Sequence, residues 1–321
     1  MRTTGCVLAM VLACCFCAAA QTAAKSPAKP WSPRRTADGQ PDLEGYWTNA
    51  TLTPLERPAQ FAGKAVLTEA EAAAYARQLR EANNRDRRGD SAEADVGGAY
   101  NQFWYDRGNG IVGSRRTSLI IEPADGLIPP LTPAAQKRVE EARAYAAAHP
   151  ADGPESRSLA ERCILWGTAG PPMMPGPYNN AYQIVQTRDS VTILVEMIHD
   201  ARMIPLDGRP HLPGTVRQWM GDPRGHFEGN TLVVDSTGFN GKAPFHGSDA
   251  NLHLTEKFTR VSADTLLYEF TVDDPTAFTK KWTAQIPFTR TDGPIYEYAC
   301  NEGNYAMTDM LAGARKAESG K

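Results

Sequence analysis

The chain has 321 residues with 34 basic and 37 acidic side chains, a formal net charge of -3, and 41% hydrophobic content. That length suits one large domain or two small ones. The mildly acidic balance, with no basic run beyond the few arginines at 85–88, argues against nucleic acid as a partner.

The chain opens "MRTTGCVLAMVLACCFCAAA", with Arg2 as its single charge. A short apolar run ending in Ala18-Ala19-Ala20 has the layout of a secretory signal peptide over 1–20. The run is too short for a stable bilayer-spanning helix, which needs about 20 apolar residues. Val11-Leu12-Ala13 before Cys14 is a looser lipoprotein box, the weaker of the two readings. The expected location is therefore periplasmic or secreted. Cleavage after Ala20 removes four of the six cysteines and leaves Cys163 and Cys300. Two cysteines in an exported chain suggest one disulfide, with two independent thiols as the alternative. No later stretch is long and apolar enough to cross a membrane.

Residues 21–42 are rich in Ala, Pro, Lys and Arg and read as a flexible leader. A single β-rich domain is expected over 43–314, made of a wrapping half (43–175) and a meander (176–300), with a tail at 315–321. "LEGYWTNATLTPLERP" gives a first strand stopped by Pro54 and Pro58. Thr68-x-x-Glu71 is a capping box ahead of an Ala-rich helix. A strand is expected at 117–121. Thr132 as N-cap with Pro133 at the first helical position starts a second helix that stops at Pro150. "SLAERCI" around Cys163 reads as helical.

The second half changes to β character. Four hairpin patterns follow one another: "YQIVQT-RDS-VTILVEMI", "HF-EGN-TLVVDS", "LHLTEKFTRV-SAD-TLLYEFTV" and "KKWTAQIPFTR-TDG-PIYEYA". About eight strands in order, without helical crossovers, predict an antiparallel meander barrel or strongly curled sheet. The fold class is thus mainly β with some α, the sheet being wrapped by an N-terminal half with two helices and long loops. "YAMTDMLAGARKAE" is a short covering helix.

Side chains of a strand alternate between its faces. The inward rows are then Leu252, Leu254, Glu256, Phe258, Arg260; Leu266, Tyr268, Phe270, Val272; and Trp282, Ala284, Ile286, Phe288, Arg290. The row Val191, Ile193, Val195, Met197 carries His199 inward and turns Asp200 and Arg202 outward.

Six stretches resemble, as a set, a large family of exported bacterial proteins mostly catalogued as hypothetical. They are "PDLEGYWTNATLTPLERP", "YNNAYQIVQT", "EMIHDARMIPLDGRPH", "GDPRGHFEGNTLVVDSTGF", "FTRVSADTLLYEFTVDDPTAFTKKWTAQIPF" and "YEYACNEGNY". The resemblance spans roughly 41–314 and implies no particular chemistry. Phe227 stands where such proteins often carry Trp before Glu228-Gly229. Gly45-Tyr46-Trp47 is similar to the G-x-W opening of lipocalins, a likeness of architecture only.

"HDARMIPLDGRPH", 199–211, concentrates titratable groups at a strand end. An inward His199 is a candidate general base, and Glu256 in an apolar row a candidate acid; His211 flanks the same mouth. The plainer reading is a hydrogen-bonded core histidine and a Glu256–Arg260 pair. Asp200, Arg202 and Arg209 are candidate substrate-binding charges, with an exposed ion pair and loop positions as the alternative. Tyr178, Trp219 and Trp104 can line a pocket for a ring-bearing ligand or simply anchor loops. No histidine or cysteine pair has metal-ligand spacing, and no phosphate or dinucleotide loop appears, so no cofactor is expected. Three functions stay open: an exported acid/base enzyme (lyase, isomerase or hydrolase) for a small polar or aromatic compound, a non-catalytic carrier, and a structural protein of the envelope.

Overall fold

A computed structural model describes residues 31–87, 89–97 and 101–320. Residues Ser32–Lys321 form one compact unit. The signal-peptide and Cys14 readings, and most of the leader, lie outside the described residues. Among those described, no helix is long and apolar enough to cross a membrane.

The architecture is mainly β. Ten strands form one antiparallel sheet: β1 (Gly45–Thr48), β2 (Ile120–Glu122), β3 (Ala181–Gln186), β4 (Ser190–Val195), β5 (Ala201–Pro205), β6 (Asp222–Glu228), β7 (Thr231–Thr237), β8 (His253–Arg260), β9 (Thr265–Asp273) and β10 (Trp282–Thr291). Four helices accompany it: α1 (Glu69–Asn83), α2 (Ala92–Gly97), α3 (Pro133–Ala148) and α4 (Tyr305–Ser319). The capping box at Thr68 forms, and Thr132 caps α3 with its hydroxyl accepting from Ala135 N. α2 was not expected, and α4 takes in most of the expected tail. Around Cys163 the chain makes hydrogen-bonded turns rather than a helix.

The expected eight-strand meander is not continuous. The strand order is β5-β4-β3-β1-β10-β9-β8-β7-β6, with β2 also on β10. Two meanders, β3–β5 and β6–β10, are joined by the N-terminal strand, where Trp47 lies opposite both Tyr182 and Arg290. The reason is volume. Trp47 is fully buried and donates its indole N–H to Leu43 O at 3.0 Å, so β1 supplies one of the largest core side chains. The expected last strand, "PIYEYA", is coil; the buried Glu196 carboxylate accepts from Tyr296 N in place of a ladder partner.

The sheet does not close into a barrel. β5 and β6 are its edges and share no ladder, although they run close together. A Cβ on Gly225 would lie 2.7 Å from Ile204 Cγ2 and 2.8 Å from Leu206 Cδ2, so only glycine lets the β5 side chains lie over β6. The inward rows are buried as expected, except Arg290 and His199, which are exposed. Tyr182, Phe258, Tyr268, Phe270, Trp282 and Phe288 fill the interior with ring centroids commonly 5–6 Å apart. Such pairs add about 0.5–1.5 kcal/mol each beyond simple burial. The interior is packed with side chains.

Cys163 and Cys300 lie at bonding distance, with Sγ atoms 2.10 Å apart across 137 residues of sequence. The link ties the 158–167 segment to the coil ahead of α4.

Candidate functional site

The stretch "HDARMIPLDGRPH" is divided by a turn. β4 stops at Val195, and a tight 3-10 turn over Met197–His199 follows, with φ of +64° at Ile198 and +60° at His199. Two consecutive left-handed residues reset the alternation. His199 is consequently exposed on the turn and not inward, while Arg202 faces in with only 3% exposure. Simple period-two counting fails here because it assumes one uninterrupted strand.

Inside the sheet, Arg202 meets Glu256 end-on, donating from Nη1 to Oε1 at 3.1 Å and from Nη2 to Oε2 at 2.5 Å. The Tyr268 hydroxyl donates to Glu256 Oε1 at 2.7 Å and accepts from Met173 N at 3.1 Å. Burial opposes the charge on Arg202, but the Glu256 carboxylate outweighs it and holds the guanidinium above its ordinary range. Burial, then Glu256, push the Tyr268 phenol well up. Glu256 is inward as expected, yet its partner is Arg202 and not Arg260. Arg260 instead bonds Asp42 O and Ala263 O. The missing signal was the phase reset at 198–199.

The remaining expected site residues are dispersed. Asp200 is half-buried, and burial raises its carboxyl. Arg209 is exposed and closes a turn with Asp207, Nε to Oδ2 at 2.6 Å. Tyr178 packs between Trp166 and Tyr105. Trp104 is exposed against Phe103.

A second polar network occupies the outer face of β6–β8, and most of it escaped sequence reading. His211 places Nδ1 at 3.0 Å from Asp222 Oδ2 and Nε2 at 2.9 Å from Asp235 Oδ1. Asp235 Oδ2 is 2.5 Å from His253 Nε2. Asp222 also accepts from Arg224 Nη1 at 2.7 Å and Leu212 N at 2.8 Å. The ladders explain the convergence. Arg224 lies opposite Asp235, Asp222 opposite Thr237, and Asp235 opposite Thr255, which puts these carboxylates on one face beside the start of β8. The loop between β5 and β6 folds His211 onto them. The available signal was polar residues near one end of three adjoining hairpin strands; their cross-strand register was not readable. When His211 donates to both carboxylates its ring carries both protons and a positive charge.

The seam between β5 and β6 opens as a cleft of about 560 Å3. Arg202, Met203, Arg217, Trp219, Asp222 and Arg224 are among its walls. The structure thus brings Arg202 and Trp219 to the cleft directly, and His211 through Asp222. Asp222 connects by hydrogen bonds through His211 and Asp235 to His253, whose side chain is 45% exposed. Among the described residues, no group of three or more His, Cys, Asp and Glu is arranged to hold a metal ion. No family model matches the chain, no curated protein matches it, and no solved structure matches its fold.

Proposed function

We propose that the protein is an exported acid/base enzyme that moves a proton on a small polar or aromatic compound bound in the β5–β6 cleft. The observation that carries this is the unbroken chain Asp222–His211–Asp235–His253, from the cleft wall to an exposed imidazole. Asp222 takes a proton from the compound or returns one to it. Neutral His211 accepts that proton on Nδ1 and releases the one on Nε2 to Asp235, and His253 exchanges it with solvent. Imidazoles suit this role because they gain and lose protons near neutral pH. Arg224 orients Asp222, and Trp219 offers a ring face to the ligand. Glu256 lies inside the sheet and outside the cleft wall, so it anchors Arg202 and performs no proton transfer. The bonded cysteine pair fits an oxidising compartment, which supports export. The packed interior leaves a carrier no cup there, so a non-catalytic binder would use the same cleft.

The test is turnover across a panel of esters, amides, phosphoesters and enolisable ketones, with Trp fluorescence reporting occupancy. Asp235→Asn and His211→Gln should each lower turnover about 100-fold or more, the scale of general acid–base catalysis. Folded variants that bind a turned-over substrate and process it at the wild-type rate would reject the relay.

A further inference from the structure

A second cavity, of about 290 Å3, adjoins the seam cleft. Its lining is largely apolar and includes Leu165, Trp166, Phe239, Phe245 and Leu252. Trp219 lines both cavities. Next to that shared residue the two linings come close together. Gly221 belongs to the seam cleft and Phe239 to the second cavity, yet a Cβ on Gly221 would lie 2.8 Å from the Phe239 ring.

The segment that carries Trp219 is held firmly. Gln218 N donates to Gly238 O and Asn240 N to Gln218 O, both at 2.9 Å. Arg217 Nη1 donates to Phe239 O at 3.2 Å and to Ala250 O at 2.6 Å. The opposite wall, 158–167, is tethered through Cys163 to Cys300.

The two cavities differ in chemistry. The seam cleft has Asp222 and Arg224 in its wall; the second has mainly aromatic and aliphatic residues, with Lys242 and Asp249 among them. Ligand sites commonly combine an apolar pocket with a few placed polar groups. The geometry points to one elongated ligand spanning both cavities, with a ring-bearing apolar end against Trp166 and Phe245 and an ionisable end beside Asp222 and Arg224. This substrate class rests on the reading above only in taking the seam cleft as the ligand site, and not on proton transfer there. Trp219 touches the ligand at the junction of its two halves.

The test uses the full chain and ω-phenylalkanoates from phenylacetate to 8-phenyloctanoate, with binding measured by calorimetry. Affinity should rise with chain length by about fourfold per buried methylene, then level off once the ring is seated. Ala243→Trp, which places an indole on the lining of the second cavity, should erase the gain with length. Leu165→Phe is a milder filling variant and should shorten the optimal chain. Arg224→Gln should weaken every member by a similar factor. Flat affinity along the series, or both filling variants folded and binding as wild type, overturns the proposal. Length-dependent binding without any turnover sinks the proton-transfer reading and sustains this one. Turnover of compact substrates with flat affinity along the series does the reverse.

Discussion

Two charged networks sit on opposite faces of one sheet and meet only at β8, which carries Glu256 on its inner side and His253 on its outer side. Inside, Arg202, Glu256 and Tyr268 satisfy one another and are each at most 3% exposed. Outside, Asp222, His211, Asp235 and His253 form an equally continuous chain that ends in solvent. The inner set contains no imidazole, and among the described contacts its hydrogen bonds lead to no exposed side chain. The outer set contains two imidazoles and an exit. The difference teaches that charge and burial alone do not mark a working site. An inward carboxylate looks like the more unusual feature from sequence, yet its seclusion makes it a structural element, while the outer chain reaches solvent at His253.

The largest expected effect comes from breaking the inner set. Glu256→Ala leaves the Arg202 guanidinium buried and unpaired, and should cost about 3–5 kcal/mol of stability by denaturant unfolding. Replacing both partners with apolar residues of similar volume, Arg202→Met with Glu256→Leu, should recover much of that loss, because neither charge is then stranded. A single Glu256→Ala variant as stable as wild type would show that water reaches this pair. The inner and outer networks would then cease to differ in kind.

A smaller effect separates the turn from both networks. Burial raises the Asp200 carboxyl above its ordinary range. A carboxyl raised in the folded state favours the protonated form there, so its contribution to stability is present below the unfolded value. That contribution is lost as pH rises through the folded value. Asp200→Asn should therefore be more stable than wild type near pH 7, with the advantage disappearing on acidification below the ordinary Asp range. Paired unfolding curves at both pH values check this, and an advantage of equal size at both would assign the effect to something other than ionisation.

The hairpins were legible because each combines period-two hydrophobicity with a short turn: Glu228-Gly229-Asn230 joins β6 to β7, and Ser262-Ala263-Asp264 lies between β8 and β9. Helices α1 and α3 were legible from Thr68 and Thr132 at their starts. The place of β1 was not, since nothing local says that Trp47 will part β3 from β10. The outer network stayed hidden for the same reason. Asp235 and His253 lie on neighbouring strands, and only the ladder brings them together. At Ile198 the difficulty was of another kind. A β-branched residue at φ +64° is an uncommon conformation, so counting along the chain carries straight through a turn that the backbone makes.

His199 gives the smallest and most discriminating test of this comparison. It sits on that turn, exposed, at φ +60°, with only its backbone N–H bonded, to Glu196 O at 3.2 Å, among the described contacts. Removing the imidazole takes away no buried packing and leaves that backbone bond in place. His199→Ala should change stability by less than about 0.5 kcal/mol, the usual range for an exposed position. It should also leave turnover at the wild-type level, since the relay runs through His211 and His253. Melting temperature and turnover measured on one sample decide the matter. A folded His199→Ala protein without activity would return the base to the 196–200 turn, and the outer chain of Asp222, His211, Asp235 and His253 would then be structural like the inner one.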